Sequence, residues 1–209
     1  MENTSRTDAE LIKSVLTSNR DDFALLMDRY KQKIFAYLYR FIFQDKEAAT
    51  DLTQDVFIKV YQNLGSFDTG RPLQPWIYRI AHNEAANYLR AKAGKKESQL
   101  SDKHWQSLPK PDEGDVLESD EYKDLVNQAL DSIDPKYKEA LVLFFFEDLT
   151  YQEIAVILNC STNTVGTFIR RGKQQLQKKM KRFIGSNDLL FQMVFITIVI
   201  LLVCSNFKA

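Results

Sequence analysis

Cysteine and histidine are scarce: Cys160, Cys204, His82 and His104 are all that a 209-residue chain offers toward thiol or imidazole chemistry. Their spacing matches no zinc or disulfide pattern, so neither a structural metal nor a cross-linked secreted scaffold is expected, and a reducing compartment suits them. No Gly-rich phosphate loop leads into a lysine, and no histidine stands beside a plausible nucleophile. The carboxylates are plentiful, but they fall on helix faces or in a polar stretch, so no catalytic residue, metal or cofactor is expected. The first twenty residues lack the apolar core of a secretory signal. Nor is there an excess of charge of either sign, with 28 Lys plus Arg against 28 Asp plus Glu.

Where those charges lie is more informative than their sum. Arg71 to Lys96 carries six basic residues and the single acid Glu84, and Phe168 to Arg182 carries seven basic residues and no acid. Between them, Glu97 to Asp124 holds nine acids against three lysines. Either basic segment can neutralise phosphates, while the acidic one repels them; ordinary solvated helix faces would also carry such runs.

The apolar spacing predicts an all-α protein with two small helical domains. In residues 9–96, Phe23, Leu26, Met27, Tyr30, Ile34, Leu38 and Phe41 recur at three and four and define one long amphipathic helix. Ala49, Leu52, Val56, Val60 and Leu64 define a second, with Asp51, Gln54, Asp55 and Lys59 on its other face. After a loop containing Gly65, Gly70 and Pro72, a third helix runs from about Pro75, as its first residue, to about Ala93. It is expected to bury Ile77, Ile80, Ala81, Ala85 and Tyr88. Residues 97–119 are polar, acidic and punctuated by Pro109, Pro111 and Gly114, the composition of a flexible linker.

Residues 120–182 are helical again. Asp134 and Pro135 open a helix burying Tyr137, Ala140, Leu141 and Phe144. Thr150 and Glu153 form a capping box for a short helix with Ile154 and Leu158 on one face. Asn159 tolerates the left-handed turn that follows, and Ser161 caps a last helix with Val165, Ile169 and Leu176 inward. A helix, a tight break and a second helix make a helix-turn-helix, whose second helix enters a major groove in DNA-binding proteins. Asn163, Thr164, Thr167, Arg170, Arg171 and Gln174 then face outward to read bases, with Lys173, Lys178 and Lys179 toward phosphates. Plain helix packing, with Lys and Arg complementing a helix end, is the competing reading.

The third helix of the first domain aligns Arg79, His82, Asn83, Asn87 and Arg90, with Trp76, Tyr78 and Tyr88 nearby. Aromatics among Arg and Asn suit single-stranded DNA, because any base stacks on a ring while cations hold the backbone. Core aromatics beside solvated amides would give the same pattern.

The run from Asp51 through Tyr61, Ser66-Phe67, and the run from Pro75 through Leu89 resemble region 2 of the extracytoplasmic-function sigma factors of bacterial RNA polymerase. Leu149 to Ala155 and the helix after Cys160 resemble their region 4. The resemblance spans roughly Ala9 to Arg182 and implies a specificity subunit that binds core RNA polymerase, selects promoter DNA and assists its melting, with no catalytic site of its own. It implies that Asp51, Gln54, Asp55 and Phe57 dock on core polymerase. It assigns minus-ten DNA to Phe67, Trp76, Arg79, Asn83, Asn87 and Arg90, and minus-thirty-five DNA to Ser161, Asn163, Thr164, Thr167, Arg170, Arg171 and Lys173. The acidic linker is similar to a segment that threads polymerase channels as a nucleic-acid mimic, and an anti-sigma protein is a further implied partner. Gly166 and Phe168 depart from the family, standing where basic residues are frequent. The competing function is a tethered helix-turn-helix regulator that binds duplex DNA without core polymerase; a third is an adaptor that only scaffolds proteins.

The family does not account for Leu189 to Cys204, sixteen residues without a charge. As a helix they would span about 24 Å, short of a bilayer core of about 30 Å unless the flanks contribute. Apolar on all sides, such a helix needs complete burial, in lipid or in protein. Lys178, Lys179, Lys181 and Arg182 precede it and favour a tail anchored from the cytoplasmic side of the membrane.

Overall fold

The computed structural model describes residues 6–43, 45–96 and 128–184, and every regular element among them is helical. In order these are α1 (Asp8–Thr17), α2 (Phe23–Phe41), α3 (Lys46–Asn63), α4 (Leu73–Lys96), α5 (Pro135–Phe145), α6 (Tyr151–Ile157) and α7 (Thr162–Ile184), with short 3-10 turns at Arg20–Asp22 and Leu64–Ser66. Two compact units divide the chain. The first comprises Met1–Ala91 together with Ala155–Asn159, and the second comprises Lys92–Ile154 and Cys160–Ala209. The acidic linker and the apolar tail expected from the sequence lie outside the described residues.

The helix α1 was not among the sequence expectations, although its signal is local. Thr7 Oγ1 accepts from the Glu10 amide at 3.3 Å while Glu10 Oε2 accepts from the Thr7 amide at 2.6 Å, a reciprocal cap that satisfies two orphan donors. Only Leu11, Ile12 and Val15 are buried along it, too few to stand out in a polar segment. Polar ties fix its place. Arg6 and Ser14 donate to Asp22 Oδ2 at 2.7 and 2.5 Å, Asn19 donates to Asp22 Oδ1 at 3.1 Å, and Tyr30 donates to Asp8 Oδ2 at 2.5 Å.

Helices α2 and α3 pack against each other and against α4. Of the expected α2 stripe, Leu26, Tyr30, Ile34, Leu38 and Phe41 are buried, Phe23 and Met27 at its start are half-exposed, and Tyr37 joins the buried face. Each such side chain removed from water contributes about 1.5–3 kcal/mol. Asp45 caps α3, accepting from the Ala48 amide at 3.2 Å, and also accepts from Tyr88 of α4 at 2.9 Å. Helix α4 begins two residues before Pro75, at Leu73. Proline is harmless there because the first four amides of a helix have no intrahelical acceptor. Tyr78, which the sequence reading put beside the polar face, is fully buried, its ring edge-on to Tyr37 at 5.3 Å. Ile80 and Tyr88 are half-exposed rather than buried.

In the second unit α5 packs along α7. Asp134 caps α5 through the Lys136 amide, with Pro135 at the first turn. Tyr137, Ala140 and Leu141 are buried as expected, Phe144 is half-exposed, and Lys138 is buried too, donating to Asp131 Oδ1 at 2.6 Å. Burial of that ammonium pushes its pKa down. Ile154 is buried, but Ile157 replaces Leu158 in the interior. The expected caps are in place: Thr150 and Glu153 satisfy each other's amides, Asn159 takes a left-handed φ of 50°, and Ser161 Oγ accepts from the Thr164 amide at 3.1 Å.

Candidate nucleic-acid interface

The first unit carries an open groove of about 300 Å³ between the end of α3 and the first half of α4. Lys59, Asn63, Ser66, Trp76, Arg79, Ile80, Asn83 and Glu84 line it. Its geometry follows from local structure. The 3-10 turn Leu64–Ser66 ends α3, Ser66 Oγ donates to the Asn63 carbonyl at 2.8 Å, and Phe67 leaves in an extended conformation. That direction lays the Phe67 ring against Trp76, centroids 4.9 Å apart and tilted by 47°. Asp68 then holds the loop, accepting from the Gly70 amide at 3.0 Å.

From the groove the polar face of α4 continues outward. Arg79, Asn83, Asn87 and Arg90 are all exposed at three- and four-residue spacing, so they share one face. Arg90 donates to Asn87 Oδ1 at 2.6 Å, leaving the Asn87 amide hydrogens outward. The six residues assigned to minus-ten DNA therefore fall on one continuous surface: two half-buried rings, Phe67 and Trp76, and four exposed polar side chains. Lys59 and Glu84, which the sequence reading did not connect with this surface, pair across it at 2.5 Å.

On α3, Asp51, Gln54 and Asp55 are exposed one turn apart. Phe57, grouped with them by resemblance, is only 3% exposed and packs edge-on to Phe23, so it is a core residue beneath the stripe. The apolar residues that do reach solvent beside those carboxylates are Ile58 and Tyr61, 54% and 41% exposed. Ile58 follows Gln54 by four residues and Asp55 by three, the spacing that puts it on their helix face.

In the second unit Ser161 starts α7 and Asn163, Arg170, Arg171 and Lys173 are exposed, while Thr164 and Thr167 are half-buried. Thr164 Oγ1 meets Ser161 Oγ at 2.9 Å and Thr167 donates to the Asn163 carbonyl, so both hydroxyls are turned to the helix itself. Arg171 donates to Tyr137 Oη at 3.3 Å and Lys173 lies over the Phe145 ring, which ties them toward α5. Phe168 is half-buried with its ring 5.7 Å from Tyr137, which explains an aromatic where a cation is frequent. Gly166 lies beside Tyr151, in ordinary contact distance for an added Cβ. Asn163, Arg170 and Gln174 are the exposed base-reading candidates whose side chains are not drawn toward α5 or their own helix.

The family model for Sigma-70 region 2 matches residues 26–94, and that for Sigma-70, region 4 matches residues 123–176. The chain is 32% identical over 180 residues to the ECF RNA polymerase sigma factor SigW of Bacillus subtilis, covering 81% of this chain and 95% of that protein. The chain belongs to the ECF sigma factors of the sigma-70 family. It is also 30% identical to the RNA polymerase sigma-H factor of Pseudomonas aeruginosa, over 85% of this chain and 96% of that one. Two solved structures share the fold at a TM-score of 0.62. One is CnrH in complex with the cytosolic domain of CnrY, 22% identical over 84% of this chain and 97% of the other. The other is the sigma factor RpoE in complex with the anti-sigma factor NepR from Bartonella quintana, 21% identical over 79% and 99%. This sigma factor directs RNA polymerase in transcription initiation. Among its described residues no helix is long and apolar enough to cross a membrane.

Proposed function

We propose that this sigma factor docks on core RNA polymerase through the α3 stripe of Asp51, Gln54, Asp55 and Ile58, and captures separated minus-ten bases on the surface that joins the groove to the outer face of α4. The observation that carries the reading is the convergence of Trp76, Arg79 and Asn83 on one open groove of about 300 Å³, with the Phe67 ring packed against Trp76. Unpairing a base costs a few kcal/mol, and a ring platform flanked by cations offsets that cost only for an open strand. Asn163 and Arg170 of α7 supply the minus-thirty-five contacts to base edges, and the lysines further along the helix supply phosphate contacts.

In vitro transcription with core RNA polymerase and a library of promoter fragments tests the whole. Initiation from a defined promoter class that requires both polymerase and this chain supports the proposal. Specific duplex binding without polymerase, and no initiation with it, favours an independent helix-turn-helix regulator.

Two extensions concern partners. An anti-sigma protein is one, supported by the fold shared with the solved RpoE and NepR complex. The membrane is the other: Leu189 to Cys204, charge-free and preceded by Lys and Arg, anchors the factor from the cytoplasmic side and keeps it from chromosomal promoters until released. Alkaline-washed membranes should retain the full-length protein and lose a chain ending at Ser186. A soluble, monomeric full-length protein contradicts the anchor, and equal promoter activity of both forms in cells contradicts activation by release.

A further inference from the structure

Glu84 is the single acid between Arg71 and Lys96, and it lines the groove assigned above to unpaired bases. A carboxylate on a surface for a polyanion repels it unless its charge is matched. Here the match is built in. Lys59 Nζ reaches across from α3 to Glu84 Oε1 at 2.5 Å, with the Glu84 side chain 13% exposed and that of Lys59 44% exposed. The pair leaves Oε2 as an acceptor in the groove. Asn63 Nδ2 donates one hydrogen to the Lys59 carbonyl at 2.8 Å, which leaves its Oδ1 as a second acceptor and its other N–H as a donor. The Glu84 carboxylate is the acceptor-only group of the groove lining, complementary to an amino group and adverse to a carbonyl set directly against it. Of the four bases, cytosine, adenine and guanine carry an exocyclic amine, and thymine carries none.

We propose that Glu84, held and neutralised by Lys59, is a base-selecting residue of the groove, its Oε2 accepting a hydrogen bond from the exocyclic amino group of cytosine, adenine or guanine, which thymine lacks. The inference rests on the reading that the groove receives unpaired bases. Glu84 supplies the selection, and Lys59 is a positioning residue that acts through it.

The test uses the full-length protein assembled with core RNA polymerase and promoter templates with a pre-melted bubble, each unpaired base being changed in turn to all four. At one position the wild type should bind cytosine, adenine or guanine about tenfold more tightly than thymine, the effect of one well-placed hydrogen bond. Glu84→Gln should bring that ratio close to one while leaving the ranking at other positions intact, since a glutamine amide both donates and accepts. Lys59→Met, which leaves the carboxylate unmatched, should weaken all four bases together. Loss that falls equally on all four bases in Glu84→Gln, or an unchanged ratio, overturns the proposal and leaves the pair as a clamp between α3 and α4. Thermal melting of each holoenzyme-free variant separates that clamp role, which would lower the Tm, from selection, which would not. Trp76→Ala and Arg79→Ala distinguish the underlying reading: if both bind the bubble as the wild type does, the groove receives no base and both proposals fall. If they lose binding and Glu84→Gln keeps its preference, only the selection fails.

Discussion

Gly172 of α7 lies so near Leu141 of α5 that a Cβ added to it would stand 2.9 Å from Leu141 Cδ1 and 3.2 Å from the Tyr137 carbonyl oxygen. Gly166, two turns earlier on the same helix, would place its Cβ 3.6 Å from Tyr151 Cε2, an ordinary contact. The two glycines therefore predict opposite results. Gly172→Ala should destabilise by about 1–3 kcal/mol, because backbone and a packed leucine must move apart. Gly166→Ala should be neutral or stabilise by up to about 1 kcal/mol, the helix-propensity gain. Chemical denaturation of the two variants checks both signs.

The surface of α3 separates docking from folding in the same way. Asp51→Lys with Asp55→Lys, and separately Ile58→Ala, should weaken assembly with core RNA polymerase in a pull-down or titration while leaving Tm close to wild type, since all three side chains are exposed. Phe57→Ala should instead cost about 3–5 kcal/mol of stability, as for other buried aromatics. Wild-type polymerase affinity in the charge-reversal variant would remove the stripe from the interface.

Strand capture predicts a dependence on the template. Phe67→Ala, Asn83→Ala and Asn87→Ala should reduce open complexes more on fully paired promoters than on a pre-melted bubble, because the bubble already bears the unpairing cost. Permanganate footprinting of unpaired thymines reads the difference. Equal losses on both templates would assign these residues to base binding without a part in opening.

These features differ in how far the sequence shows them. The α6 cap at Thr150 and Glu153, the left-handed Asn159 and the Ser161 cap depend on residues within four positions of one another, and all were legible. The facing of an aromatic is different. Tyr78 and Phe57 sit at positions whose exposure depends on where Tyr37 and Phe23 of another helix lie, so spacing along one helix could not orient them. The groove belongs to the same class, since Lys59 and Glu84 are 25 positions apart and meet only when α3 and α4 pack. Lys138 is the extreme case: a lysine in the first turn of a helix reads as surface, and an ion pair with Asp131 on the preceding segment offsets the cost of burying it.

Attachment of α1 should depend on acidity. Asp22 accepts from Arg6 and Ser14, and those bonds, Arg6 foremost, hold its carboxyl below the ordinary value of 3.8 despite an opposing effect of desolvation. A carboxyl whose folded pKa is depressed contributes stability in full above its unfolded pKa, and that contribution fades as pH falls through the folded pKa. The tie between the Arg6 end of the chain and the Arg20–Asp22 turn is thus complete at neutral pH and is lost in acid, starting near pH 4. Asp22→Asn should remove most of this acid dependence, because the amide oxygen still accepts but no longer titrates, and should weaken the tie at neutral pH by removing the charge opposite Arg6. Amide hydrogen exchange of Leu11, Ile12 and Val15, followed from pH 7 to pH 3 with correction for intrinsic rates, reads the attachment directly. Protection in the wild type should fall steeply below pH 4 while protection in α2 persists; a parallel fall in Asp22→Asn would place the acid-sensitive group elsewhere.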